Sequence, residues 1–283
     1  MDVDWLADAN GNALWNSGAP LLVLFHGLEG SSSSHYARAI LHAARARSWN
    51  ACVPHFRGCS GVPNRLPRAY HSGDSAEIDW ILRHLAASRA PNALYAVGIS
   101  LGGNALAKWA GEQGTAATTV ARAIAAVSAP LDLAAAGRSL GRGFNMVYTR
   151  MFLTSLKRKS LAKQRLFPAM FNPESVMRAR DLYEFDNLVT APLHGFRDTD
   201  DYWARASAKP WLPGIAIPAL LLNARNDPFM PASALPVASM VAPAVTLDQP
   251  ELGGHAGFAT GTLPPGRLDW LPQRLFNYFD EHP

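Results

Sequence analysis

The chain has 283 residues, 48% of them hydrophobic and 17% charged, with 22 glycines and 21 prolines. At about 150 residues per domain this length suits one or two domains, and the composition excludes a collagen-like or globally disordered chain. A formal net charge of +4 is too small to point to a nucleic-acid partner.

The N-terminal dozen residues carry early acids and no apolar core of the kind a secretory signal needs, so a cytoplasmic protein is expected. Residues 5–15, with Ala9-Asn10-Gly11-Asn12 in the middle, predict a hairpin on a sheet edge. The first clear strand is predicted over residues 21–25, ending at His26-Gly27. A serine run at 31–34 then supplies a cap for a helix reaching about Arg47. A second strand is predicted over 51–56, ending in Arg57-Gly58. It contains Cys52, which with Cys59 makes two cysteines, too few for a disulfide framework or a four-ligand zinc site. Asp74 and Ser75 open a helix with Ile78, Ile81, Leu82 and Leu85 on one face. The third strand, over 93–97, runs into Gly98-Ile99-Ser100-Leu101-Gly102 and a helix carrying Ala105, Leu106 and Trp109. The fourth, over 123–127, is closed by Ala129-Pro130.

The alternation then stops. Residues 131–211 are helical in type, basic first and acidic later. Strands resume at 219–222 and 245–247, and an amphipathic helix covers roughly 268–279. The longest apolar-looking run, 211–222, is broken by Pro213 and Pro218 and is too short to cross a bilayer. Strands alternating with helices predict an α/β fold with a mostly parallel central sheet flanked by helices. Residues 1–130 and 212–283 form the expected core, and residues 131–211 a helical lid inserted after the fourth clear parallel strand.

Gly98 to Gly102 matches G-x-S-x-G between a predicted strand and a predicted helix, the setting in which a sharp turn lifts a serine above the sheet. A plain βα turn is the bland alternative. A serine hydroxyl needs a histidine base oriented by a carboxylate, and in this architecture the chain order is Ser, acid, His. Asp227 lies in the loop beyond the 219–222 strand, and His255 sits among glycines beyond the last strand. Ser100, Asp227 and His255 are therefore the candidate catalytic residues, with Asp248 the second choice for the acid. His35, His42 and His84 fall on helices, His282 is terminal and His194 precedes the acid inside the insertion, so each is read as packed or solvated. Asp198, Asp200 and Asp201 read as caps. The backbone amides of Leu101 and Leu28 are the candidate oxyanion donors, and His26 reads as structural. No H-E-x-x-H, C-x-x-C or P-loop pattern occurs, so neither a metal nor a nucleotide cofactor is implied.

Several segments resemble the YheT-like hydrolases of the α/β-hydrolase superfamily: His26-Gly-Leu-Glu-Gly30, Phe56-Arg-Gly-Cys-Ser-Gly61, Tyr70-His-Ser-Gly73, the serine motif through Asn104, and Phe185 through Phe196 with Asp186 and His194. The resemblance extends over nearly the whole chain and places the triad on Ser100, Asp227 and His255. It implies carboxylic-ester hydrolysis, with related members acting on acylglycerols, phospholipids or as acyltransferases, and it implies that Asp186 and His194 hold the lid together. The chain departs from the family in beginning almost at Asp4-Trp5, where other members carry a few tens of residues more.

A small-molecule ester is the expected partner, without nucleic acid. Met146, Tyr148, Met151, Phe152, Leu153 and Leu156 are candidates for an acyl pocket, or else for packing the lid onto the core. Between Asp132 and Glu174 there are eight basic residues and no acid, more than the whole net charge, so the rest of the chain is net acidic. The run Lys157-Arg158-Lys159 is preferred as a solvated face, with weak peripheral contact with an anionic membrane as the alternative. The competing functions are acyl transfer to an alcohol and, outside catalysis, a small-molecule receptor or scaffold on the same fold.

Overall fold

A computed structural model describes residues 1–7, 11–168, 170–261 and 266–283. The strands are β1 (Val3–Trp5), β2 (Leu21–Phe25), β3 (Asn50–Pro54), β4 (Leu94–Ile99), β5 (Ala123–Val127), β6 (Ala219–Leu222) and β7 (Val245–Asp248). They form one sheet in the order β1-β3-β2-β4-β5-β6-β7, parallel throughout except for β1, which runs antiparallel to β3. The strands β2 to β6 are buried throughout and, Asn50 of β3 apart, apolar, because helices cover both faces. At the edge, Leu14 N donates to Leu6 O (2.7 Å) and Ala7 bridges Ala13, as an N-terminal hairpin requires. The tip of that hairpin at residues 8–10 lies outside the described residues.

The two-residue period of β2 divides the core. Leu21, Val23 and Phe25 point to the side of α2 (Ser75–Arg89) and α3 (Leu101–Gln113). Leu22 and Leu24 point to the side of α1 (His35–Ala46) and the C-terminal α10 (Trp270–Asp280). Asp74 precedes α2 as the sequence suggests, but its carboxylate pairs with Arg68 and makes no cap bond.

Between β5 and β6 the chain runs through α4 (Leu133–Leu140), α5 (Met146–Leu166), α6 (Pro173–Arg178), α7 (Leu182–Phe185), α8 (Ala191–His194) and α9 (Thr199–Ala206). Asp132, Asn172, Asp181 and Asp198 cap four of these helices by accepting from backbone amides. A π-turn over Asp186–Thr190 joins α7 to α8. Pro192 has no amide hydrogen to continue an α-ladder and its ring crowds the carbonyl one turn back, which accounts for the widened turn. The helical segment is tied to the core at its exit. Asn104, on α3, donates to Ser72 O and Ala206 O (both 2.8 Å) and accepts from Ala208 N (2.9 Å). No helix among the described residues is long and apolar enough to cross a membrane.

Candidate active site

The sharp turn between β4 and α3 holds Ser100 at φ +52°, a left-handed conformation that a non-glycine residue adopts at a cost. It persists because the flanks fit only glycine. A Cβ on Gly98 would overlap the Gly102 carbonyl, and one on Gly102 would lie 2.6 Å from Phe25 O. Ser100 N donates to Val127 O (2.8 Å), so the neighbouring strand fixes the turn.

His255 Nε2 lies 3.0 Å from Ser100 Oγ, and its Nδ1 lies 2.9 and 3.1 Å from the two oxygens of Asp227. With Nδ1–H donating to the carboxylate, Nε2 is left to accept the serine proton. The Asp227 side chain has no exposed surface, whereas His255 keeps 18%. Asp227 also accepts from Phe229 N (2.8 Å), and the Phe229 ring lies 4.1 Å from the imidazole. The alternative acid, Asp248, is engaged by Arg274 Nε (2.6 Å).

Several positioning groups carry no sequence signal. Asn226 Oδ1 accepts from both Gly253 N and Gly254 N (2.9 Å each), tying the acid's loop to the histidine's. Ser128 Oγ accepts from Ala256 N (3.0 Å) on the other side of the imidazole.

The loop after β2 approaches the serine closely, since a Cβ on Gly27 would meet Ser100 Cβ at 3.2 Å. Gly27 N donates to Tyr36 Oη (2.9 Å) and Glu29 N to Tyr70 Oη (3.0 Å), which fixes the Leu28 amide between them. Leu101 opens α3 directly after the serine. His26 is fully buried, donating from Nδ1 to Gly27 O (2.8 Å) and accepting from Phe56 N at Nε2 (3.1 Å). Burial pushes its pKa down to about 4, so it is neutral and serves as a brace for the loop.

Glu29 has φ +57° and joins this loop to the helical segment. Its carboxylate accepts from Tyr70 Oη (2.7 Å), Lys159 Nζ (2.9 Å) and Ser155 Oγ. Lys163 likewise donates to Asn64 Oδ1 (2.6 Å) and Leu66 O (2.8 Å), and Lys157 to Met177 O (2.9 Å). Lys159 therefore points inward to the core and Lys157 sideways to the carbonyls ending α6, so the run is not one solvated face.

Of the six apolar residues proposed for an acyl pocket, the structure turns only some toward the site. Tyr148 and Phe152 meet the Phe229 ring at 4.9 and 6.2 Å. Leu153 and Leu156 pack within the helical segment against Val176, Ala179 and Phe185. Met151 is 66% exposed, and Met146 lines an outer groove. Adjacent side chains on one helix point 100° apart, so a single run serves three environments.

His194 does not reach Ser100. Its ring lies 4.5 Å from His71, and burial pushes their pKa values down to about 3 and about 4 respectively. Asp186 is separate from both, accepting from Trp203 Nε1 (2.9 Å) and Thr190 Oγ1 (2.6 Å), with burial raising its pKa to about 6.

Residues 20–262 match the family model described as the α/β hydrolase fold. The chain is 42% identical over 260 residues to YheT of Escherichia coli (strain K12), which carries the name of an esterase; the match spans 90% of this chain and 75% of that protein. It is 31% identical to phospholipase ABHD3 of Mus musculus, across 99% of this chain and 68% of the relative. Among solved structures, the Butyrivibrio proteoclasticus protein Est1E with bound ferulic acid superposes with a TM-score of 0.61 at 12% identity, covering 99% of this chain and 94% of that one.

Proposed function

The chain belongs to the α/β-hydrolase family, in its YheT-like branch, and on that footing we propose that it is a serine hydrolase of carboxylic esters. The observation that carries this reading is the unbroken relay Ser100–His255–Asp227, its members following β4, β7 and β6 at one end of the sheet. His255 takes the Ser100 proton as Oγ attacks the ester carbonyl, and the buried Asp227 carboxylate stabilises the imidazolium. The amides of Leu28 and Leu101 receive the oxyanion. Collapse expels the alcohol, which leaves with the proton from His255. The same imidazole then deprotonates water, whose attack on the acyl-serine releases the acid and restores Ser100.

Phe229, Tyr148 and Phe152 form an aromatic wall beside His255. Such a wall suits the acyl part of a short- to medium-chain or lipid-like ester, in keeping with the phospholipase named among the relatives. Ser100→Ala is expected to abolish turnover of short-chain p-nitrophenyl esters and labelling by a fluorophosphonate. Turnover retained by that variant would remove the serine from the mechanism.

A further inference from the structure

The sides of α5 divide the work of the helix unequally. Tyr148, Phe152, Ser155, Lys159 and Lys163 face the core. Leu153 and Leu156 face α6 and α7. The side left over carries Val147, Arg150, Met151, Arg158, Leu161 and Arg165, whose positions, taken at about 100° per residue, fall along one stripe. The helix contains no acid. Arg150, Arg158 and Arg165 make no ion pair among the described residues. The acids that follow in sequence are engaged elsewhere, Glu174 by Arg178 and Glu184 by Arg180.

Large apolar groups stand in solvent on or beside this surface: Met151 at 66% exposure on the stripe, Met177 at 52% on α6, and Phe144 at 77% just before the helix, its ring edge-on to Tyr148. Between α5 and α6 the surface is hollowed into a groove of about 820 Å³, with Leu153, Leu161 and Met177 beneath and the three unpaired arginines around it. Exposed apolar groups interleaved with arginines, and no acid, are the chemistry of a helix lying in the headgroup region of a membrane. Guanidinium forks match phosphate oxygens in pairs.

We propose that the outer face of α5, with Phe144 before it and Met177 on α6, docks the protein on an anionic lipid bilayer. The arginines bind headgroup phosphates, Phe144 and Met151 enter the acyl boundary, and the groove receives a lipid chain. This face is distinct from the Ser100 site, so the proposal stands or falls independently of ester hydrolysis.

Co-sedimentation with phosphatidylcholine vesicles, with and without phosphatidylglycerol, tests it. Binding is expected only to the anionic vesicles, weakening with salt as screening shortens the reach of the charges. Replacing all three arginines (R150Q, R158Q, R165Q) is expected to lower the partition coefficient roughly 100-fold, with Tm unchanged. Ser100→Ala is expected to bind as tightly as the unaltered protein, which separates docking from catalysis. Equal binding to neutral and anionic vesicles, or undiminished binding by the triple variant, overturns the proposal. So does one-to-one binding of dodecyl phosphate by a protein that ignores vesicles, since the groove would then serve a single amphiphile.

Discussion

Glu29 shows how much a single side chain can be asked to hold. It takes a left-handed backbone, costing on the order of 1–3 kcal/mol, in the loop that presents the Leu28 amide. Its carboxylate repays this by fastening that loop to Tyr70 and to Ser155 and Lys159 on α5. Lys159→Met leaves the carboxylate in place but removes the cation that anchors it. Losing an oxyanion donor outright costs about 10²–10³-fold, so a loosened one is expected to lower kcat for a short ester by about tenfold while KM stays within about twofold. Lys159→Arg is expected to recover most of the loss. Steady-state kinetics decide it, and a change confined to KM would assign Lys159 to substrate binding instead. Ser100 and His255 were legible because a motif and a chain order announce them. Glu29, Asn226 and Ser128 were not, since each acts through hydrogen bonds to partners between 27 and 130 residues away. A lone asparagine or serine in a loop carries no period or spacing that reports such a partner.

At the level of elements, the sheet is legible in apolar runs whose length and punctuation suit buried parallel strands. The strand ends differ by a residue or two, because the last strand residues are set by ladder partners such as Ile99 against Val127. The strand β1, ahead of the expected hairpin over 5–15, has no apolar run and is fixed by its antiparallel pairing with β3. The helices of the insertion were legible as helices but not in their rotation. Side chains from Met146 to Leu156 were equally apolar in sequence, yet α5 sends them to the site, into the helical segment and out to solvent. The rotation is set by inward-pointing Lys159 and Lys163, whose acceptors lie on the core. One packing contact within this segment is especially tight: a Cβ on Gly137 of α4 would overlap the indole of Trp203 on α9. The ring is buried and also hydrogen-bonded to Asp186, so it has little room to move. Gly137→Ala is therefore expected to destabilise the protein by about 1–3 kcal/mol, read as a lower urea midpoint. An unchanged midpoint would show that α4 and α9 slide apart easily.

Across the whole molecule, buried titratable groups couple the junction of core and insertion to pH. His71, before α2, meets His194 at the end of α8, near Asp74, Arg68 and Arg57. Unfolded, both histidines take up a proton near 6.5, whereas burial holds them at about 4 and about 3 in the folded chain. Between 6.5 and about 4 the unfolded state binds protons that the folded state refuses, so stability falls as pH falls through this window. Asp186 acts the other way. Its folded pKa of about 6 lies above the unfolded 3.8, so the folded state gains a proton first, and stability rises as pH drops between these values. His194→Gln is expected to flatten the acid loss, and Asp186→Asn to steepen it. Urea midpoints of each variant relative to the unaltered protein across about pH 7 to 5 measure both, because Glu77 and His26, also shifted by burial, titrate in every protein compared. A difference that stays constant over that range contradicts the assignment. The α/β sheet, a helical stretch between its fourth and fifth parallel strands and the candidates Ser100, Asp227 and His255 are all readable along the chain, because period, punctuation and chain order are local properties. Folding in three dimensions settles which face of α5 meets the core, that Glu29 binds the loop after β2 to that helix, and that Asp248 pairs with Arg274. Those outcomes depend on which distant acceptor each charged group reaches, and the chain contains no local record of that.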